Sequence, residues 1–294
     1  MFGALNTLEL FSEASQWIQA EGLRFILESN RRRQFRNSGS IIWQLNEPFP
    51  NVSSTSLLDY YGEAKMAYYW MRQAFSSIHA SIEYKRLDYK IGETLEAEVF
   101  LVSNQLSAET MSIKAKVFTM RGVLVHEQSF EGNLLPQYAA SIGHLKFLIT
   151  EAMDGLFLVR ISVRDRECKE KFQNDYFFST REREVYAPAL LLNEAKLNII
   201  EHGEWVTDND SSERLTCIQR RYTVRNVGKE VALHIRAIEQ TNEFWMEACD
   251  QYFSLLPGEQ EEMVVTCFRK KAGGFMKEDY TEGIVLPILE FCSF

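Results

Sequence analysis

Ser40-Ile-Ile-Trp-Gln-Leu-Asn-Glu-Pro-Phe-Pro-Asn-Val-Ser-Ser-Thr-Ser-Leu-Leu-Asp-Tyr-Tyr-Gly-Glu-Ala-Lys65 is the stretch on which the reading of this chain turns. It opens as a short apolar run, Ile41 to Leu45, and becomes polar at Asn46 and Glu47. Pro48 and Pro50 then break the chain. A continuous apolar run without alternation suits a strand covered on both faces, as in a parallel sheet. A buried strand that ends in polar groups and a long loop is how an α/β barrel presents its active-site face.

The flanks fit that reading. From about Ser12 to Arg33, Trp17, Ala20, Leu23 and Leu27 recur at helical steps. Ser12 stands where an N-cap would, and Arg31-Arg32-Arg33 with Asn37-Ser38-Gly39 end the pattern. Glu13 then falls in a first helical turn, where an acidic residue complements the dipole. A second helix is predicted from about Gly62 to Phe75, with Met66, Trp70 and Ala74 on one side. Residues 1–78 thus read as helix, parallel strand, loop and helix. A parallel strand needs parallel neighbours, and the expectation is that these lie upstream of Met1.

Beyond Ser81 the period drops to two. Thr94-Leu-Glu-Ala-Glu-Val-Phe-Leu-Val and Met111-Ser-Ile-Lys-Ala-Lys-Val-Phe alternate, and glycines punctuate. Such strands predict an antiparallel sandwich of immunoglobulin type over 79–183. Arg181-Glu-Arg-Glu184 and Pro188 mark a linker. A second sandwich is expected over 184–294, from Leu197-Asn-Ile-Ile-Glu to Glu262-Met-Val-Val-Thr-Cys-Phe, with a Pro257-Gly258 turn. The fold class is therefore mainly β: two immunoglobulin-like sandwiches behind the last helix-strand-helix of a (β/α)8 barrel.

Composition sets the outer limits. In 294 residues, 46% are hydrophobic and 25% charged, enough apolar material for more than one core. The net charge of −9 argues against a nucleic-acid surface, which needs concentrated Lys and Arg. No window reaches the apolar length of a membrane span. Met1 to Leu10 lacks a basic start and a small-residue cleavage site, so no signal peptide is read there. Five cysteines (Cys168, Cys217, Cys249, Cys267 and Cys292) have no metal-ligand spacing and read as buried free thiols, which leans towards the cytoplasm. The histidines are scattered, and no cofactor or metal is expected. Asn51-Val-Ser53 and Asn209-Asp-Ser211 match the glycosylation sequon, too short a match to weigh; Gly273-Gly274 reads as a turn.

Trp43-Gln-Leu-Asn-Glu-Pro-Phe-Pro50, Asp59-Tyr-Tyr-Gly62 with Lys65, Gln19-Ala-Glu21, and Asp250-Gln-Tyr-Phe-Ser-Leu-Leu-Pro-Gly-Glu259 occur in one order. Together they resemble the end of glycoside hydrolase family 2 enzymes, the β-mannosidases and exo-β-glucosaminidases above all. The resemblance implies that Trp-Gln-Leu-Asn closes the eighth barrel strand, and that Trp43, Asn46 and Glu47 bind a terminal β-linked sugar. It also implies an upstream barrel portion as partner. Glu47 stands where Asp is commoner in the family, and Phe49 where Trp is, which leaves the sugar preference open. The family uses an acid/base and a nucleophile, and both would precede Gln19-Ala-Glu21 by more chain than is present. No catalytic residue is therefore assigned, and the chain alone is expected to be inactive. The rival reading is a non-catalytic carbohydrate- or protein-binding β-sandwich module.

Overall fold

A computed structural model describes residues 1–50, 55–106, 108–208, 217–270 and 286–294. Both sequons and Gly273-Gly274 lie outside these residues. The chain divides into two compact units. The first comprises Met1–Trp43 with Met66–Asn193, and the second Gln44–Lys65 with Glu194–Phe294.

In the first unit, helix α1 runs Leu8–Arg32. It begins a turn earlier than the apolar spacing predicts, because Thr7 is the N-cap: its hydroxyl accepts from Leu10 N at 3.2 Å. Glu9 therefore occupies the first turn, not Glu13, and Arg31 and Arg32 the last. Ala14, Trp17, Ala20, Glu21, Arg24, Leu27 and Glu28 are buried at steps of three and four. Helix α2 is shorter than expected, Met66–Ala74, and packs on α1.

The predicted strand between these helices does not form. Residues 40–45 make no ladder, and Ile41 is 98% exposed. A parallel strand exists only through hydrogen bonds to parallel neighbours, and no described strand runs beside this stretch. Of the apolar run, Ile41, Trp43 and Leu45 stay exposed and Ile42 is half-buried.

Seven strands follow: β1 Ile78–Glu83, β2 Thr94–Ser103, β3 Glu109–Thr119, β4 Leu124–Leu134, β5 Tyr138–Leu148, β6 Leu156–Arg164 and β7 Glu170–Ser179. They form two antiparallel sheets, β1-β2-β5 and β4-β3-β6-β7. Leu95, Ala97, Val99 and Leu101 from one sheet share a core with Ile113, Ala115, Val117, Phe157, Val159 and Ile161 from the other. The alternation that marked β2 and β3 is the pleat sending every second residue into this core. One close approach fixes a glycine: Gly143 has φ +146°, and a Cβ there would lie 2.9 Å from the Phe130 ring.

End strands β1 and β7 lie together, and α1 covers them. Unpaired strand edges invite foreign pairing, and a covering helix blocks it. Trp17 holds α1 in place, edge-on to Phe177 at 5.6 Å and stacked on Tyr186 at 4.5 Å. The charged stretch after β7 thus leads straight into a buried anchor, since Val185 and Tyr186 are buried.

The second unit holds β8 Leu197–Asp208, β9 Cys217–Asn226, β10 Ala232–Glu239, β11 Phe244–Ala248, β12 Phe253–Leu255, β13 Gln260–Arg269 and β14 Leu289–Cys292. Its antiparallel sheets are β11-β13-β9-β8 and β12-β10-β14. Tyr222, Met263, Val265 and Cys267 pack with Ala237 between them. Gly258, at φ +84°, makes the turn read from Pro257-Gly258 and donates to Asn226 O at 2.8 Å. All five cysteines are free thiols. The expectation that they are buried holds for Cys217 and Cys267; Cys168 and Cys249 are exposed and Cys292 is half-buried, since each falls at a turn or strand margin.

Candidate functional site

The residues singled out for sugar binding stand on the stretch after α1. Trp43 is the last residue of the first unit, and its indole is 79% exposed. Asn46 and Glu47 belong to the second unit, Asn46 exposed and Glu47 buried at 6%.

A tight backbone web holds Asn46 and Glu47. Leu57 N and Leu58 N both donate to Leu45 O, at 3.1 and 2.7 Å, and Asn46 bridges to Leu58. Lys65 N donates to Leu57 O at 3.0 Å. Asp59 builds the next turn, for its carboxylate accepts from Tyr61 N and Glu63 N, both at 2.9 Å. This is the side-chain-to-backbone bonding that makes Asp a turn residue. Lys65 Nζ donates to Ser56 Oγ at 3.0 Å. Burial pushes the Lys65 ammonium below its usual range, and the charges of Glu47 and Asp59 only partly restore it. Burial likewise pushes the Glu63 carboxyl up, against Lys270 and with Asp59 and Glu239. Asp59 and Lys65 thus both bond within this loop, Asp59 to its amides and Lys65 to the Ser56 hydroxyl.

Sequence reasoning missed a second polar cluster, in the first unit. Arg24 donates to Glu21 Oε2 at 2.8 Å and to Asn174 Oδ1 at 3.3 Å. Its guanidinium carbon lies 4.3 Å from the Trp70 ring centre and 4.6 Å from that of Tyr176. Tyr84 OH donates to Glu21 Oε1 at 2.7 Å. Glu28 accepts from Asn174 Nδ2 at 2.8 Å and from Tyr176 OH at 2.9 Å. Polar residues spaced three and four apart on an apolar helix face were the available signal: Glu21, Arg24 and Glu28 follow the same period as Trp17 and Leu27.

Chemically the two clusters differ. The Glu21–Arg24–Glu28 group is nearly fully buried, so it reaches no substrate and serves to seat α1 on β1 and β7. In the first unit Trp43 offers an exposed aromatic face, and in the second Asn46 offers an exposed carboxamide. Among the described residues, no group of three or more His, Cys, Asp or Glu is arranged to hold a metal ion, and no helix is long and apolar enough to cross a membrane.

No protein-family model matches the chain, and no curated protein matches it in sequence. Solved structures do match in fold. An exo-chitosanase of Amycolatopsis orientalis superimposes with a TM-score of 0.72 at 18% identity, over 90% of this chain and 32% of that one. A β-D-mannosidase from Dictyoglomus thermophilum gives 0.68 at 21% identity, over 100% of this chain and 31% of that one. The chain spans about a third of the length of these two enzymes, and across that third it shares their fold.

Proposed function

We propose that this chain is the C-terminal portion of a retaining β-glycosidase of glycoside hydrolase family 2, β-mannosidase-like in type. Residues 1–78 then correspond to the end of a (β/α)8 barrel, followed by immunoglobulin-like sandwiches at 79–183 and 184–294. The observation that carries this reading is the coincidence of two independent likenesses. The fold matches two enzymes on β-linked sugars along 90–100% of the chain, and the motif Trp43-Gln-Leu-Asn-Glu47 resembles the family's last barrel strand.

In this reading Trp43 stacks on the sugar ring while Asn46 and Glu47 bind its hydroxyls. The exposed run at Ile41, Trp43 and Leu45 is apolar surface suited to cover by a partner, which in the whole enzyme is the remainder of the barrel. The acid/base and nucleophile of a retaining mechanism are supplied from that remainder, so the 294-residue chain by itself does not hydrolyse glycosides. Turnover of an aryl β-mannoside by the purified chain, lost on Glu47→Gln, would overturn this.

A second reading, a free-standing binding module, draws support from the separate cores of the two sandwiches. Gel filtration separates the two: a clean monomer favours the module, and self-association through the uncovered run favours the enzyme portion.

A further inference from the structure

Tyr61 O accepts a hydrogen bond at 3.0 Å from the indole N–H of Trp245, a residue 184 positions further along the chain. The same indole lies against Gly62, where a Cβ would stand 3.8 Å from Nε1. One residue on, Glu63 Oε1 is 3.8 Å from Lys270 Nζ, which also donates to Asn242 Oδ1 at 2.9 Å. Both partners have a firm base. Trp245 is in β11, opposite Phe268 of β13, and Lys270 extends β13, its N–H donating to Glu243 O at 2.7 Å.

We propose that Trp245 and Lys270 are positioning residues for Asn46 and Glu47. The connection runs through a continuous set of bonds. Trp245 and Lys270 fix Tyr61 and Glu63, whose N–H groups are held by the Asp59 carboxylate. Asp59 follows Leu57 and Leu58, and these two amides both close on Leu45 O, directly before Asn46. Neither Trp245 nor Lys270 need touch sugar; a sheet of the C-terminal sandwich sets the conformation of the turn that would. This gives the last sandwich a part in recognition. The inference rests on the reading that Asn46 and Glu47 bind sugar.

The experiment uses the full chain and three variants. Trp245→Phe keeps the ring against Gly62 and removes the donor. Lys270→Met keeps length and removes the charge, and Lys270→Arg restores the charge. Amide hydrogen exchange is followed at residues 57–65, with the Val265 amide in the core of β13 as a control for folding. Methyl β-D-mannopyranoside binding is measured by calorimetry.

The expected result is exchange at Leu57, Leu58 and Lys65 at least about fivefold faster in Trp245→Phe and Lys270→Met, with Val265 unchanged and Lys270→Arg near wild type. Sugar affinity falls by a similar factor in the same two variants. Unchanged exchange at 57–65 overturns the proposal. So does faster exchange with undiminished sugar affinity. If the wild-type chain binds no sugar, the reading that Asn46 and Glu47 bind sugar in this chain fails, while the exchange result still decides whether the sandwich holds the turn.

Discussion

Glu28 Oε1 lies 3.1 Å from His79 Nε2, and both side chains are only 1% exposed. This pair ties α1 to β1 in an interior where an unmatched charge is costly. Burial is the largest influence on the Glu28 carboxyl and pushes it up, but the hydrogen bond and, once it protonates, the charge of His79, then the charge of Arg24 and the hydrogen bond from Asn174, outweigh it and hold it below 4.5. Burial also dominates at His79 and depresses it below 6.5 despite Glu28. His79 is thus neutral at pH 7, donating to an ionised Glu28.

Both groups bind protons less readily folded than unfolded, which fixes the sign of the pH dependence. The contribution of His79 is present above its unfolded value of 6.5 and is lost as the pH falls through its lower folded value. Glu28 adds a loss of the same sign below 4.5. Urea unfolding should show stability declining from pH 7 to pH 5. His79→Gln retains a donor without the titration; it should cost about 1–2 kcal/mol at pH 7 and flatten that slope. An unaltered slope in the variant would remove His79 as its source.

Arg24 should be among the most sensitive positions in the first unit. Its guanidinium is 2% exposed, between Trp70 and Tyr176, with Glu21 and Asn174 as partners. Burial pushes it down, and the carboxylates of Glu21 and Glu28 more than reverse this. Arg24→Met strands Glu21 and should cost about 3–5 kcal/mol in chemical denaturation. Arg24→Lys keeps the charge but not the planar fork, and should still cost about 2 kcal/mol. A loss under about 1 kcal/mol for either would mean that the cluster contributes little.

Gly62 isolates backbone strain from packing. Its φ is +88°, and a Cβ there would meet only the Trp245 indole, at ordinary contact distances of 3.8 and 3.9 Å. Gly62→Ala should therefore cost about 1 kcal/mol, from the left-handed backbone alone. Asp59→Ala removes the acceptor for two amides in the same turn and should cost about 1–3 kcal/mol. Thermal unfolding of both variants, read at tryptophan fluorescence, tests the ranking.

Asn46→Ala and Trp43→Ala should each weaken methyl β-D-mannopyranoside binding by about tenfold while leaving the unfolding midpoint within a few degrees, because both side chains are exposed. Glu47→Gln should weaken binding and lower stability together, since Glu47 is buried beside the Lys65 charge. Equal binding by wild type and all three variants would show that this stretch does not contact sugar.

Much of this was legible in the sequence. Alternation at Thr94–Val102 and Met111–Phe118 is a local property, because the pleat sends every second side chain to one face whatever the partner strand. The periods of α1 and α2 and the Pro257-Gly258 turn are local in the same way. The limits of α1 were not, since Thr7 and Ser12 are both residue types that cap helices, and it is Thr7 whose hydroxyl accepts from Leu10 N.

The sequence by itself determined that residues 41–45 are apolar and that Asn46 and Glu47 end the run. Only the tertiary structure decided what becomes of them. A strand is a relation between segments, and without a parallel neighbour Ile41 to Leu45 stays outside any sheet. The partners of Glu28 at His79 and Asn174, and of Tyr61 at Trp245, lie 51, 146 and 184 residues away. No local periodicity encodes such distances; they are set when sheets and helices pack and each buried polar atom must find a partner.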